Sequence, residues 1–112
     1  MDRSSYIQGY CLEINKLKQD RHIQGSPNYI KGRSILIVDP KILIDLYAGY
    51  GVPIINISGI WNGKERFTHT DIIGVWKSYD GKTSLSTNNG MIHYSLQKGV
   101  HIVPAHPNDH NM

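Results

Sequence analysis

A chain of 112 residues with a hydrophobic fraction of 39% is long enough for one domain with a small core, and too short for two. No apolar stretch approaches the roughly 20 residues that a membrane-spanning helix needs, and no charged segment followed by an apolar run predicts a secretory signal. The lone Cys11 excludes an internal disulfide, and the net charge of +3 favours an anionic partner only weakly.

The N-terminal half predicts two helices. Residues 10–19 carry loosely periodic apolar positions with lysines between them, which predicts the first helix. Residues 34–38 are apolar and β-branched and predict a short buried strand. Asp39 and Pro40 begin the second helix, because aspartate accepts from free backbone N–H groups and proline fits a first helical turn. Gly49 is suited to end it.

From residue 52 onward the pattern predicts β-structure. Four segments are predicted to be strands or extended, at 54–57, 65–70 (exposed), 71–78 and 83–87, with turns at 59–66, 80–81 and 88–90. The expected fold is α+β, with N-terminal helices packed on a roughly four-stranded antiparallel meandering sheet. We expect one domain over residues 1–112, with flexible ends at 1–9 and 106–112.

The final hairpin carries polar residues on its strands. With a three-residue loop at 97–99, Gly99 supplies the positive φ that a tight reversal needs. Ser95 then lies opposite His101. Because side chains alternate along a strand, His93 shares the face of Ser95, so all three polar groups are predicted to lie together. The alternative is that they are surface residues on the wet face of a sheet.

The segment between the predicted helices concentrates basic groups around an aromatic ring. Residues 20–33 are irregular and contain Arg21, His22, Lys31 and Tyr29. Such a loop has what is needed to hold a phosphate and to stack a base. An ordinary polar loop that caps the first helix would have the same composition.

Several standard constellations are absent from the sequence. It has no phosphate-cradling Gly-rich loop, no dinucleotide fingerprint, no Cys pair for zinc and few carboxylates. Histidine, lysine, arginine, serine and tyrosine remain, and RNA cleavage by the 2′-hydroxyl needs only such groups. One residue removes the 2′-hydroxyl proton, another protonates the departing 5′-oxygen, and a cation stabilises the phosphorane. DNA lacks the 2′-hydroxyl and would be spared.

Four blocks occur in an order that resembles polymorphic toxin type 50: DRHIQGSPNY, WNGKER, IHYS and HIVP. Domains of this family lie at the C-terminus of bacterial polymorphic toxins and of some phage minor head proteins, and the resemblance runs roughly from Lys16 to Pro107. It implies a metal-independent ribonuclease toxin without a cofactor, in a superfamily resembling barnase, EndoU and RelE. It also implies N-terminal helices and a four-stranded meander.

The resemblance also suggests roles for individual residues. His22 and His93 are the first candidates for the acid–base pair, in either order, and His101 is the alternative member. Ser95 would orient a histidine or a phosphate oxygen. The candidates that would hold the phosphate are Arg21, Lys31 and Lys64. The candidates that would stack on the bases are Tyr29, Tyr94 and Trp61.

A toxin of this kind implies RNA as substrate and a small acidic immunity protein as partner, because negative charge blocks a basic cleft. We expect a monomer when free, no membrane partner, and action in the cytoplasm of the target cell. The toxin could be delivered as the C-terminal part of a larger secreted or phage protein, or it could be free-standing.

Two other functions remain open: a non-catalytic RNA- or protein-binding module, and an NAD-cleaving or ADP-ribosylating toxin. The latter usually needs a catalytic glutamate, for which only Glu13 and Glu65 are available.

Overall fold

A computed structural model describes residues 3–108, which form mainly two antiparallel sheets. In chain order the elements are α1 (Lys16–Asp20), β1 (Ile35–Leu36), α2 (Pro40–Tyr47), β2 (Val52–Ile55), β3 (Trp61–Thr68), β4 (Gly74–Lys77), β5 (Ser84–Thr87), β6 (Asn89–Ser95) and β7 (Gly99–Pro104). The larger sheet has the strand order β2-β3-β6-β7, and the smaller one has the order β1-β4-β5.

The predicted α+β fold, with N-terminal helices on a single meandering sheet, is wrong. Strands β4 and β5 do form near their predicted positions, but they pair with each other and with β1 instead of continuing the larger sheet. Strand β3 therefore pairs directly with β6, which follows it by more than 20 residues. The protein is mostly β, and its two sheets are made by pairings between distant segments.

The predicted helix at residues 10–19 is reduced to the single turn of α1. The preceding residues are instead extended along the edge of β7, where the Val100 N–H donates to the Glu13 carbonyl (2.8 Å) and the Asn15 N–H donates to the Val100 carbonyl (2.7 Å). The Asn15 side chain then accepts from the Lys18 N–H and caps α1. Pairing with β7 has overridden the helical pattern.

Helix α2 forms as its local signals predict. The Asp39 side chain accepts from the Lys41 N–H at 2.9 Å, and Pro40 is the first helical residue. Gly49, just past the end, has a φ of +84°. Leu43 and Ile44 are buried, so the helix contributes its apolar side to the core.

Two of the predicted turns are mostly strand. Residues 59–66 and 88–90 were expected to reverse the chain, yet β3 begins at Trp61 and β6 begins at Asn89. The buried Asn89 side chain explains the second case. It accepts from the Thr68 hydroxyl and donates to the carbonyls of residues 106 and 107, so it bonds across the sheet instead of bending it. Residues 65–70 were also predicted to be an exposed strand, but Glu65 is fully buried.

One core fills the space under the larger sheet. It joins side chains from β1, α2, β3, β6 and β7 with Ile73: Leu36, Leu43, Ile44, Ala48, Phe67, Ile73, Ile92, Val100 and Ile102. Fully burying each aliphatic side chain contributes about 1.5–3 kcal/mol. Because Ile92, Val100 and Ile102 point into this core, the residues that alternate with them on β6 and β7 point to the other face.

Both ends of the described chain make specific contacts. Ser5–Ile7 form one 3-10 turn, Ile7 is buried, and the Ser4 N–H donates to the Gly49 carbonyl at 3.0 Å. Residues 1–2 and 109–112, which belong to the predicted flexible ends, lie outside the described residues.

Among residues 3–108, no helix has the length and apolar character needed to cross a membrane.

Candidate active site

The β6–β7 hairpin places two histidines side by side. His93 pairs directly with His101, and Ser95 pairs with Gly99, so residues 96–98 form the loop. The predicted register, with Ser95 opposite His101, is wrong by two residues. A shift of two preserves the faces of the strands, so the three polar side chains still share one face.

Two features of the structure require glycine at position 99. Gly99 has a φ of +89°, as the turn requires, but it also belongs to β7. A Cβ atom at this position would lie 2.2 Å from the Glu13 carbonyl oxygen. The close approach of the N-terminal segment therefore requires glycine in the first residue of β7.

Strand β3 places a lysine beside this pair of histidines, so that the three side chains form a row across the sheet. Lys64 pairs with His93, so Lys64, His93 and His101 follow one another across three adjacent strands. The ring centroids of His93 and His101 are 4.7 Å apart, with 34° between the ring planes. This distance is close to the spacing of neighbouring strands, so the sheet itself sets the separation of the two imidazoles.

His22 extends the row from the loop after α1. Its ring lies 6.4 Å from that of His101 and is nearly parallel to it, at 14°. Nδ1 of His22 is 2.9 Å from the Ser34 carbonyl oxygen. A carbonyl can only accept, so Nδ1 carries the proton and Nε2 of the neutral ring is an acceptor. His22 is 5% exposed, and its bond to the Ser34 carbonyl fixes the orientation of the ring.

A pocket of about 190 Å³ opens over His93 and His101. Lys18 and Lys64 line it together with Ser95, and its lining within residues 3–108 contains no acidic residue. The Ser95 hydroxyl accepts from the Lys98 N–H at 3.3 Å and keeps its own proton to donate. In the same part of the chain, no group of three or more His, Cys, Asp or Glu side chains is placed to hold a metal ion. The pocket thus combines two proton-transfer groups with two cations.

Burial and positive charge keep these imidazoles neutral. Burial lowers the pKa of His93 to about 4, with a further contribution from Lys64. Burial, followed by the charges of His93 and His22, lowers the pKa of His101 to about 3. Burial also lowers the pKa of His22, and its bond to the Ser34 carbonyl opposes that shift. All three rings therefore favour the neutral, proton-accepting form near pH 7.

The model of the bacterial toxin 50 family matches residues 14–104, a range that includes every helix and strand from α1 to β7. The chain belongs to the bacterial toxin 50 family. The sequence resemblance to a polymorphic toxin domain is thereby confirmed. No curated protein matches the chain.

The histidine row predicts an acid-sensitive toxin domain. An unfolded histidine has a pKa near 6.5, whereas the folded values are about 4 for His93 and about 3 for His101. As the pH falls below 6.5, the unfolded chain takes up protons that the folded chain does not, so the free energy of unfolding should fall between pH 6.5 and about 4. Urea unfolding at a series of pH values measures this, and the His93→Gln/His101→Gln variant should lose most of the dependence between pH 6.5 and 5. An unchanged dependence in that variant would refute the assignment.

Three other predicted residues of the toxin domain, Arg21, Tyr29 and Lys31, are not among the residues that line the histidine pocket. Lys31 lines a second pocket that also contains His22. Arg21 is half-buried, and its charge lowers the pKa of His22. Tyr29 is half-buried, with its hydroxyl donating to the Arg33 carbonyl at 3.2 Å.

The rings of Trp61 and Tyr94 pack with each other on the face of the sheet opposite the histidine rings, although Tyr94 is also among the residues that line the histidine pocket. Their ring centroids are 5.3 Å apart, Tyr6 and Tyr10 pack against Trp61, and the Tyr94 hydroxyl donates to Glu65. Stacking of RNA bases on Trp61 and Tyr94 stays a prediction.

Lys18 was not selected from the sequence. Its charge acts on both His93 and His101, and it lines their pocket. In the predicted helix at residues 10–19, it is one of the lysines between the apolar positions. Its place in the site depends on the pairing of residues 13–15 with β7, for which the local sequence offers no signal.

Proposed function

We propose that this toxin domain is a metal-independent ribonuclease that cleaves RNA through attack by the substrate's own 2′-hydroxyl. The observation that carries the proposal is the cross-strand pair of His93 and His101, 4.7 Å apart, in a pocket with Lys18 and Lys64. Two adjacent proton-transfer groups and a positive charge are what this reaction needs from a protein.

Each group has one task in the reaction. One histidine takes the proton from the 2′-hydroxyl as the 2′-oxygen forms its bond to phosphorus. The other gives a proton to the 5′-oxygen as the bond from phosphorus to that oxygen breaks. The products are a 2′,3′-cyclic phosphate and a 5′-hydroxyl, and Lys18 and Lys64 stabilise the negative charge on the phosphate oxygens. The order of the two histidines is left open.

The first of these tasks needs a neutral imidazole. At neutral pH, His93 and His101 are neutral in the empty pocket, so either can act as the base. A bound phosphodiester brings negative charge next to both rings and raises their pKa values. Substrate binding therefore favours protonation of one ring of the pair, which supplies the acid.

Neither glutamate lines the pocket of His93 and His101, which argues against an NAD-directed toxin at this site. Glu65 is fully buried, and both of its oxygens already accept hydrogen bonds. Glu13 is exposed and borders a different pocket, on the side of Arg3 and Lys41. A glutamate that acts on a bound dinucleotide would have to reach that ligand.

The test is incubation of the purified protein with RNA and with DNA in the presence of EDTA. We expect RNA fragments that end in 2′,3′-cyclic phosphate, and intact DNA. A dinucleotide substrate should become resistant when its single attacking 2′-hydroxyl is methylated. Intact RNA would contradict the proposal and favour a binding module, and NAD consumption by the same sample would favour the NAD-directed alternative.

An acidic immunity protein is the partner that this pocket suits. Lys18 and Lys64 present positive charge around the histidine pair, and the described residues that line the pocket include no acidic one to repel a carboxylate-rich surface. We propose that such a partner inhibits the toxin by covering the pocket.

A further inference from the structure

A second, larger pocket adjoins the histidine row at His22. Its volume is about 780 Å³, and it lies between the end of the 20–33 loop, strand β4 with the turn after it, and Val103 of β7. The proposed chemistry makes no use of this pocket, because His93 and His101 open into the other one.

The two pockets lie along one face of β7. His101 lines the first and Val103 lines the second. Residues two apart on a strand share a face and are separated by roughly 6.6 Å. His22 lies between the pockets, because it lines the second one while its ring is stacked 6.4 Å from that of His101. The two pockets are therefore neighbours on this face of the sheet, on either side of His22.

The lining of the second pocket combines cations with aromatic rings. Lys31, Arg33 and Lys77 supply positive charge, and Trp76 and Tyr79 supply the rings. Tyr79 lies fully exposed on the turn after β4. Single-stranded nucleic acids are bound by this combination, since cations follow the phosphates and rings stack with the bases.

Asp80, the acidic residue among the described residues that line this pocket, has local partners. The Asp80 carboxylate accepts from the Ser78 hydroxyl at 2.7 Å and from the Lys82 N–H at 3.0 Å. These bonds stabilise the turn that presents Tyr79. The single negative charge of Asp80 is outnumbered by the positive charges of Lys31, Arg33 and Lys77 in the pocket lining.

We infer that the second pocket binds the nucleotides of single-stranded RNA that flank the scissile phosphate, with Lys31 and Arg33 on the phosphates and Tyr79 stacked on a base. The inference rests on the proposed function for the position of the scissile phosphate, in the pocket of His93 and His101. The toxin then requires an unpaired stretch of several nucleotides, because base pairing would withhold the base from Tyr79.

The experiment measures binding of fluorescein-labelled 2′-O-methyl RNA, which lacks the attacking hydroxyl and stays intact whether or not the protein cleaves RNA. A hexanucleotide should bind at least about tenfold more tightly than a dinucleotide, the range expected for one stacked base. The Tyr79→Ala variant should lose most of this gain. Its side chain is fully exposed, so the fold is unaffected.

Salt dependence tests the two cations separately. In the Lys31→Ala/Arg33→Ala variant, the slope of log affinity against log salt should become shallower by about 0.7 for each lost phosphate contact. Lys41→Ala on α2 is the matched control, since Lys41 is exposed, pairs with Asp45 and lies outside both pockets. It should leave the slope and the hexanucleotide affinity unchanged.

The two proposals fail in different ways. If the protein cleaves RNA but Tyr79→Ala and Lys31→Ala/Arg33→Ala bind the hexanucleotide as the wild type does, the second pocket is not an RNA site and the inference is overturned. If no RNA is cleaved but both variants lose hexanucleotide affinity, the ribonuclease proposal falls and the single-stranded RNA site stands.

Discussion

Replacing His93 with alanine is expected to reduce RNA cleavage by about 10²–10⁴-fold, the usual contribution of a general acid or base. The domain should remain folded, because His93 points to the pocket face and not into the core. The measurement is kcat/KM on an RNA dinucleotide, together with a urea unfolding curve to show that the variant is native. Full activity in a folded His93→Ala protein would remove His93 from the site.

Comparison with the other histidines identifies the partner of His93. His101→Ala should lose about as much activity as His93→Ala, and the double variant little more, because an acid and a base act as a unit. His22→Ala should lose less, since its ring lies 6.4 Å beyond His101. If His22→Ala matched His93→Ala while His101→Ala kept its activity, the pair would be His22 and His93, the first choice from the sequence.

His69→Ala is the matched control for these variants. Its ring Nδ1 is bonded to the Tyr47 hydroxyl at 2.7 Å, and it lines neither pocket described here. A loss of cleavage in this variant as large as that of His93→Ala would show that the assay responds to histidine removal in general and not to the site.

The features that could be predicted from the sequence depend on neighbours in the chain. Asp39, Pro40 and Gly49 mark the ends of α2, because capping and helix termination involve only a few successive residues. Likewise, His93 and His101 were placed on one face because strand alternation survives a register error of two residues. The family resemblance added His22, which the structure brings to the same row.

The features that could not be predicted depend on distant pairings. Residues 13–15 lie within the predicted helix at 10–19, but in the structure they pair with Val100 of β7. The pattern of β4 and β5 predicts strands, but it does not state that β1 is their partner. Lys18 enters the site only through the first of these pairings. Periodicity identifies which residues are apolar, and the partner of each strand is decided by the whole fold.

Replacing Glu65 with alanine is expected to destabilise the domain by about 3–5 kcal/mol. Both carboxylate oxygens are fully engaged. One accepts from the Gly49 N–H at 3.0 Å and from the Tyr94 hydroxyl, and the other accepts from the Gly51 N–H at 2.8 Å and from the Tyr6 hydroxyl. Burial and the bond to Glu65 raise the pKa values of Tyr6 and Tyr94, so both tyrosines remain donors. Alanine would leave four donors without their acceptor around the fully buried position of Glu65.

Urea unfolding measures this loss, and it is large for a small domain whose total stability is typically about 5–15 kcal/mol. Glu13→Ala is the matched control, since its exposed side chain should matter by no more than about 0.5 kcal/mol. Tyr94→Phe removes one donor but leaves the acceptor three others, so it should cost only about 1 kcal/mol. If Glu65→Ala were as stable as Glu13→Ala, the four bonds would contribute nothing to the fold.

Lys64 and Glu65 are successive residues of β3 on opposite faces of the sheet, as are His93 and Tyr94 on β6. The buried carboxylate therefore stabilises, from the core side, the two strands that carry Lys64 and His93 into the pocket.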